Sequence, residues 1–388
     1  MCVAVTSYAG EYPPLLEPAV SGPAQLTVLL GGEVERSLAE AEERTRRNEH
    51  EAALALLADI WADVRGVPAL TFRHRLAASW AEMYGGRLDT AADLLASADA
   101  IAQSPLFDAA DRAQVLYRRG CLALQRAEVA DAAMLFTRAL ETNARSGHPS
   151  SQLAADVLNW RSRCHQLRRD WDAAARDAET SLELADDDHT RANALFQISL
   201  VAERQRQWLL ARFYGEQALE LYRAHGDMLL TARILNNLGG IDFLLGDVVA
   251  AERRLAEAAS AAATAGSDAD VAQATSSLAQ VLLGTDRPRE AREAALAALE
   301  LLTGRTDFLD ELGNAQLVVA KSFAAEADFT SAGRWLDTAE ETFVLLGSTS
   351  HAAAVWIARG DLTRSEGDTV QAAELYRHAA EALQDFHF

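Results

Sequence analysis

Lysine is almost absent from this chain of 388 residues, since Lys321 stands alone beside 35 arginines. Proline, with 8 residues, and glycine, with 22, are too scarce for a collagen-like or low-complexity chain. No apolar run approaches the roughly 20 residues that a membrane-spanning helix requires. The 57 acidic residues outnumber the 36 basic ones and leave a net charge of −21, which opposes binding to nucleic acid or to an anionic membrane. We therefore expect neither of these as a partner.

Cysteine is scarce as well. Cys2, Cys121 and Cys164 are odd in number and far apart, so they offer no disulfide framework and no metal-ligand spacing. The N-terminal residues MCVAVTSYAGEYPP lack the basic region of a secretory signal peptide. Together these features predict a protein of the reducing cytoplasm. Alanine, in contrast, is abundant, with 79 residues in a chain that is 49% apolar, and this favours closely packed helices.

The alanines recur at a regular spacing. Aligning short segments such as LDTAADLLASA and VVAAERRLAEAA on a central alanine gives nine anchor positions, separated by steps of 37 to 42 residues. The anchors are Ala53, Ala91, Ala132, Ala174, Ala211, Ala251, Ala291, Ala332 and Ala372. A period of about 40 residues indicates a repeat protein rather than two or three separate domains.

Two further positions, which did not set the alignment, test the repeat. Twelve residues before the anchors every residue is small: Ala41, Ser79, Gly120, Ser162, Ser199, Gly239, Ala279, Ala320 and Gly360. Seven residues after them Ile60 is the one exception among Ala98, Ala139, Ser181, Ala218, Ala258, Ala298, Ala339 and Ala379. Seventeen of these eighteen residues are Ala, Gly or Ser, where the composition of the chain predicts about six.

The physical reason for the pattern is helix packing. Two antiparallel helices approach closely only where small side chains face each other, and larger side chains fill the grooves beside them. Large residues stand four positions after the anchor in six repeats: Leu57, Leu95, Phe136, Leu255, Leu336 and Tyr376. Turn signals such as Gly85-Gly86 and Gly246-Asp247 separate the two helices of a repeat. Each repeat is therefore predicted to be helix, turn, helix, turn, and the chain to be all-α.

This order of small residue, twelve-residue gap, alanine, leucine or aromatic residue, and second small residue resembles the tetratricopeptide repeat in its longer form. The clearest matches are YRRGCLALQRAEVADAAMLFTRAL and LNNLGGIDFLLGDVVAAERRLAEAA. Similar long repeats occur in kinesin light chains and in bacterial peptide-sensing regulators. The resemblance implies a right-handed superhelical solenoid of about nine hairpins over residues 34–388, preceded by an N-terminal extension of residues 1–33.

In such solenoids the first helices of the repeats line a concave groove. The resemblance places groove-facing residues three or two positions before the small residue of the first helix, and one or five positions after it. The polar residues that it thereby predicts to bind a peptide are Arg118, Asn159, Arg163, Asn193, Gln197, Arg204, Arg233, Asn236, Asn237, Gln280 and Lys321. Tyr117, Cys121, Trp160 and Phe196 share these positions, and Trp160 and Phe196 are candidates to stack on a ligand.

This set combines arginine with asparagine and glutamine inside an acidic chain. Carboxamides donate and accept hydrogen bonds at once, so they can hold a peptide backbone of any sequence. Arginine adds a forked cationic donor that suits carboxylates. The groove is therefore predicted to bind a protein or peptide segment that is acidic or ends in a C-terminal carboxylate. The alternative is that these polar side chains bridge adjacent repeats or simply meet water.

Motifs for catalysis or cofactor binding are incomplete. His50 and Glu51 begin like a zinc-protease helix, but Leu54 stands where the second histidine ligand is required. Asp186 to Asp188 lack the alternating ligands and the glycine of a calcium loop. Gly31-Gly32 lacks the remainder of a phosphate-binding motif and indicates an ordinary helix entry. No catalytic residue, metal ligand or cofactor is predicted, and we expect a protein that is not an enzyme.

Three functions of different class remain open. The first is a non-enzymatic scaffold that binds a partner segment in its groove. The second is a bacterial regulator that a small peptide gates and that controls a partner protein, and the third is an enzyme with an unrecognised site. The last hairpin has no following helix to cover its apolar face around Tyr376 and Leu383, so this face is a candidate surface for a homo-oligomer.

Overall fold

The computed structural model of the protein describes residues 24–305, 308–347 and 349–384. Within these residues every regular element is an α-helix, and there are eighteen. The first helices of the repeats are α1 (Ala24–Arg46), α3 (Pro68–Tyr84), α5 (Ala109–Gln125), α7 (Ser151–Leu167), α9 (Asp188–Arg204), α11 (Met228–Leu244), α13 (Asp268–Gly284), α15 (Leu309–Ala325) and α17 (Thr349–Ser365). The second helices are α2 (His50–Val64), α4 (Leu88–Ala102), α6 (Val129–Ala144), α8 (Trp171–Leu184), α10 (Trp208–His225), α12 (Val248–Thr264), α14 (Pro288–Leu302), α16 (Phe329–Leu346) and α18 (Thr369–Gln384). The predicted all-α class and the helices of nine hairpins are confirmed.

The helices form two compact units, of which the first ends at Gln207 and the second begins at Trp208. We call them the N-terminal half and the C-terminal half. In the N-terminal half α1 packs on α2, α3 on α4, α5 on α6 and α7 on α8, and each first helix also contacts the next first helix, as far as α9. The C-terminal half repeats this arrangement from α11 to α18. Each half therefore has a continuous layer of first helices.

The positions that defined the repeat are the points of closest helix contact. All nine anchor alanines are at most 2% exposed, and the small residues twelve positions earlier are buried as well. Gly120 lies against the ring of Phe136 and Gly239 against Leu255, so that a Cβ at either glycine would stand 2.6 Å from the facing side chain. The predicted close contact at small residues is confirmed.

The turn inside each repeat has one recurring backbone feature. A residue with positive φ stands two positions before every second helix: Asn48, Gly86, Ala127, Arg169, Arg206, Gly246, Asp286, Ala327 and Gly367. A left-handed residue ends a helix because it lets the last carbonyls find N–H partners. The aspartates that follow it at 170, 247 and 328 cap the second helix, accepting from backbone N–H groups at 3.1, 3.1 and 3.0 Å. The repeat is thus visible in the backbone even where the turn contains no glycine.

The structure departs from the predicted organisation near the N-terminus. α1 begins at Ala24, ten residues before the expected start of the first hairpin, and Gly31-Gly32 lies inside it rather than at a helix entry. The segment AQLTVLL before these glycines contains no helix breaker, which allows the helix to start early. Cys2 and the rest of the predicted extension lie outside the described residues. Among the helices that are described, none combines the length and the apolar character of a membrane-spanning segment.

Candidate functional site

An aromatic wall lies on the first-helix layer of the N-terminal half. Trp80 of α3 and Trp160 of α7 belong to repeats that are not neighbours, yet their rings meet edge to face with centroids 6.0 Å apart. Trp80 also contacts Tyr84, at 5.2 Å between ring centroids, and Tyr117 of α5, at 6.1 Å. Both indoles are partly exposed and pack on the buried cluster beneath them. We call Trp80, Tyr84 and Trp160 the aromatic wall.

Two of the arginines predicted to bind a peptide lie against this wall. The guanidinium carbon of Arg118 is 3.8 Å from the ring centroid of Trp80 and 5.2 Å from that of Tyr117. Arg163 lies 5.9 Å from the ring centroid of Trp160. A guanidinium that stacks on an aromatic face keeps its N–H groups, at the edge of its plane, able to donate. The wall therefore offers flat apolar surface beside cationic hydrogen-bond donors.

Tyr117 and Cys121 were expected to face the groove, but they are only 7% and 0% exposed. The reason is that Trp80 and Trp160 reach towards each other from flanking repeats and pack on the cluster that contains both residues. Burial raises the pKa of the Tyr117 phenol and of the Cys121 thiol well above their ordinary values. Neither side chain is therefore presented to a ligand as an ionised group.

A carboxyl group lies next to the wall. Asp156 stands one helical turn before Trp160 on α7, and its Oδ1 accepts hydrogen bonds from Thr190 Oγ1 at 2.8 Å and from Gln152 Nε2 at 3.4 Å. Burial raises the pKa of Asp156 to about 6, while the hydrogen bond from Thr190 and the positive charge of Arg118 act in the opposite direction. Asp156 therefore changes its charge close to neutral pH.

The carboxamides of the N-terminal half connect neighbouring repeats. Asn159 is 6% exposed, and its Nδ2 donates to a backbone carbonyl of α9 at 3.3 Å. Gln197 accepts a hydrogen bond of 2.7 Å from Gln166 of α7. Asn193 is partly buried on α9, and Arg204 is exposed at its last turn. In this structure Asn159 and Gln197 thus have the alternative role that the sequence left open, a bridge between repeats.

The remaining predicted residues lie in the C-terminal half and form a separate set. Arg233 is engaged by Asp270 of the next first helix, with Nε and Oδ1 2.8 Å apart. Gln280 of α13 and Lys321 of α15 are exposed and hold the same position in neighbouring repeats. Arg233 therefore also bridges repeats, whereas Gln280 and Lys321 are open to contact.

Helix α11 has open space at Gly240, close to Asn236 and Asn237. Apart from the two chain neighbours and the backbone of α11 itself, no atom of the described residues lies within 4 Å of the place where a Cβ of Gly240 would stand. Asn236 and Asn237 precede it and are partly buried, and the Oδ1 of Asn236 is a buried atom without a hydrogen-bond partner in the described part of the chain. A peptide backbone thus has room to approach α11 at Gly240.

Sequence reasoning missed Trp80 and Tyr84, which form the centre of the wall. They stand one and five positions after the small residue Ser79, in the same register as Arg163 and Arg204 in later repeats. Applying the same groove-facing positions to the second repeat identifies both aromatic residues. Their meeting with Trp160, however, has no signal in the sequence.

A cleft of about 480 Å³ lies in the C-terminal half and is lined by residues of α10, α11 and α12. Arg254 pairs with Glu216 and with the buried Asp242, each at 2.7 Å, and Arg223 pairs with Glu257. Because these charges already neutralise one another, the cleft is a structural ion-pair network rather than a ligand site.

The incomplete motifs of the sequence have structural roles. Leu54, at the place of the missing zinc ligand, is 3% exposed in the core. Asp187 caps α9 by accepting from the backbone N–H of Thr190 at 2.7 Å. In the residues that the structure describes, no three side chains of His, Cys, Asp or Glu are grouped to hold a metal ion.

Comparison with known proteins identifies the fold. No protein-family model and no curated protein matches the sequence. Among solved structures, the apo form of the quorum sensor NprR from B. thuringiensis matches with a TM-score of 0.66 and 13% identity, over 91% of this chain and 99% of that one. A Rap protein complexed with competence and sporulation factor matches with a TM-score of 0.65 and 18% identity, over 91% and 98%. The fold is a tetratricopeptide-repeat solenoid.

A third solved structure extends this likeness. Aspartyl phosphate phosphatase F from Bacillus subtilis has a TM-score of 0.58 to the solenoid and 13% identity, over 94% of this chain and 96% of that one. The predicted resemblance to bacterial regulators with this repeat is thereby confirmed at the level of the fold. Identities of this size say nothing of individual residues, so the site must be argued from the side chains of this chain.

Proposed function

We propose that this protein is a non-enzymatic scaffold that binds a peptide segment of a partner protein on the first-helix layer of its N-terminal half. The observation that carries the proposal is the aromatic wall with Arg118 stacked on Trp80. Tryptophan, tyrosine and arginine are the residues that contribute most binding energy in protein interfaces. A Rap protein of the same fold, solved in complex with competence and sporulation factor, supports a peptide as the ligand class.

The arrangement of charges suggests which segment fits. An apolar or aromatic side chain would lie against Trp80 and Trp160, and a carboxylate, from an acidic residue or from a C-terminus, would accept from Arg118 and Arg163. A hydrogen bond to a charged group contributes about 1.5–3 kcal/mol. When ionised, Asp156 repels a carboxylate that enters deeply, so the acidic group of the ligand is expected on the solvent side of the wall.

Affinity selection from a random library of twelve-residue peptides tests the proposal. Selected peptides should lose at least about tenfold in affinity for Trp80→Ala, because truncating an aromatic anchor typically costs about 2 kcal/mol or more. Phe213→Ala is the matched control, since it removes an exposed aromatic ring of α10 in the C-terminal half. A library without binders, or binders that are indifferent to Trp80→Ala and Trp160→Ala, would contradict the proposal.

A peptide-gated regulator is the second candidate. It is favoured by the names of two proteins with the same fold, the quorum sensor NprR and the Rap protein complexed with competence and sporulation factor. A scaffold keeps its radius of gyration when a selected peptide binds, whereas a gated regulator shifts towards a more compact state. Small-angle scattering of the free and the peptide-saturated protein separates the two.

A further inference from the structure

Arginines gather at the turns that follow α7 and α9. From residue 157 to residue 169 the chain has four arginines and one histidine but no carboxylate. Arg168 lies directly after α7, Arg204 is the last residue of α9, and Arg206 lies in the turn behind it; all three are exposed. Because α7 and α9 are contacting first helices of neighbouring repeats, their turns lie side by side at one edge of the N-terminal half.

These three arginines have no structural counterion in the part of the chain that the structure describes. Within the described residues no carboxylate pairs with Arg168, Arg204 or Arg206. Other arginines of the same region are held: Arg161 of α7 by a bidentate carboxylate of α8 at 2.7 and 2.8 Å, and Arg126 after α5 by a carboxylate of the preceding repeat at 2.7 Å. The arginines of this region that join two helices are therefore paired with a carboxylate.

The turn itself does not explain all of these residues. A cation at a helix C-terminus interacts favourably with the helix dipole, which accounts for Arg168 and Arg204. Arg206, however, stands beyond α9 with a φ of 60°, a conformation that favours glycine over any side chain. Its side chain is therefore not what the turn requires.

An exposed leucine lies among these charges. Leu167 is 57% exposed, and it stands between Arg168 and Gln166. The bridge of Gln166 to Gln197, 2.7 Å long, fixes the end of α7 on α9. We call Leu167, Arg168, Arg204 and Arg206 the arginine rim.

We infer that the arginine rim docks an acidic segment of a partner protein, whose apolar side chain covers Leu167. Three guanidinium groups that no described carboxylate pairs with, in a chain of net charge −21, attract carboxylates locally, while the rest of the surface repels them. The contact is therefore confined to the rim and weakens as salt screens it. The rim shares no residue with the aromatic wall, and the inference does not depend on the function proposed for that wall.

A defined probe tests the rim. A fluorescein-labelled peptide of twelve residues, with Glu and Asp around two leucines, is titrated with the full chain at low salt and followed by fluorescence anisotropy. Reversing the charge in Arg168→Glu, Arg204→Glu and Arg206→Glu together should weaken binding at least about tenfold, since each exposed pair adds a small increment. Binding by the wild type should fall steadily as sodium chloride is added.

A matched triple variant controls for net charge. Arg138→Glu, Arg145→Glu and Arg176→Glu change the charge of the N-terminal half by the same amount. These exposed arginines lie in α6, directly after α6 and in α8, and they form no ion pair among the described residues. The affinity of this variant for the acidic peptide should lie within about twofold of the wild-type affinity, because the change in net charge acts on the peptide only at long range. Equal losses in the two triple variants would overturn the inference, as would a wild type that does not bind the probe.

Three additional measurements establish which chemistry the rim recognises. The same peptide with Gln and Asn in place of Glu and Asp should bind much more weakly, and Phe213→Ala, which removes an exposed ring of the C-terminal half, should bind the acidic peptide like the wild type. Equally tight, rim-dependent binding of a twelve-nucleotide single-stranded DNA would overturn the choice of a protein segment. Circular dichroism checks folding, and if the triple variant unfolds, Arg204→Gln with Arg206→Gln must still weaken binding for the inference to stand.

Discussion

The neighbouring glycines of α11 give a sharp test of how the repeats are packed. A Cβ at Gly239 would lie 2.6 Å from Leu255 Cγ and 2.8 Å from its Cδ2, whereas a Cβ at Gly240 would meet no described atom from outside α11 within 4 Å. Replacement by alanine gains about 1 kcal/mol of helix propensity at both positions. At Gly239 the overlap is about 1 Å below an ordinary carbon contact, and such overpacking costs about 1–3 kcal/mol. Gly239→Ala should therefore be less stable than Gly240→Ala by about 1–3 kcal/mol.

Urea unfolding followed by circular dichroism measures the difference between the two variants. Because repeat proteins can unfold in parts, hydrogen exchange of the α11 and α12 amides adds a local measurement. Leu255→Ala vacates the space in front of Gly239, so it should remove most of the penalty of Gly239→Ala in a double-mutant cycle. Equal stability of Gly239→Ala and Gly240→Ala would refute the reasoning that these glycines determine the distance between the helices.

Three further predictions concern charge, backbone and binding. The pKa of Asp156, about 6, lies above its value of about 3.9 in an unfolded chain, so the stability gained by protonation is complete below pH 4 and is lost as the pH rises through 6. The free energy of unfolding of Asp156→Asn relative to that of the wild type should therefore rise by about 2–3 kcal/mol between pH 4 and pH 7. If the difference in urea midpoint between the two proteins is the same at both pH values, this prediction is wrong. Ala127→Gly should stabilise the protein by about 1 kcal/mol, because Ala127 has a φ of 61°, and its Tm should rise. Arg163→Glu should weaken the selected peptides about tenfold at an unchanged Tm, and unaltered affinity would remove Arg163 from the site.

The contacts between the two helices of a repeat were predictable because they depend on short distances along the chain. The small residue and the anchor alanine lie twelve residues apart, on helices joined by a tight turn, so few arrangements bring them together. Ser162 and Ala174 illustrate this: the serine hydroxyl donates to the alanine carbonyl at 2.8 Å. The same logic predicted that the residue four positions after the anchor, such as Phe136, would fill the adjoining space.

The aromatic wall was not predictable in this way. Trp80 and Trp160 are 80 residues apart, and their rings meet across the repeat that lies between them in the sequence. Cys121 is buried in the cluster on which both indoles pack. Periodicity predicts which face of a first helix a residue occupies, but it does not predict how far a large side chain from another repeat extends over it.

The amino-acid sequence alone thus determined the repeat, the all-α class and the positions of closest helix contact, because one spacing recurs nine times and each contact is local. Only the tertiary structure decided which polar residues remain open to a partner. Asn159 and Gln197 became bridges between repeats, while Arg118 was laid on Trp80 and Arg206 was left without a carboxylate in the described residues. The physical reason is that a hydrogen bond or a stacked ring depends on the neighbouring helix, whose distance and offset vary with repeats of 37 to 42 residues.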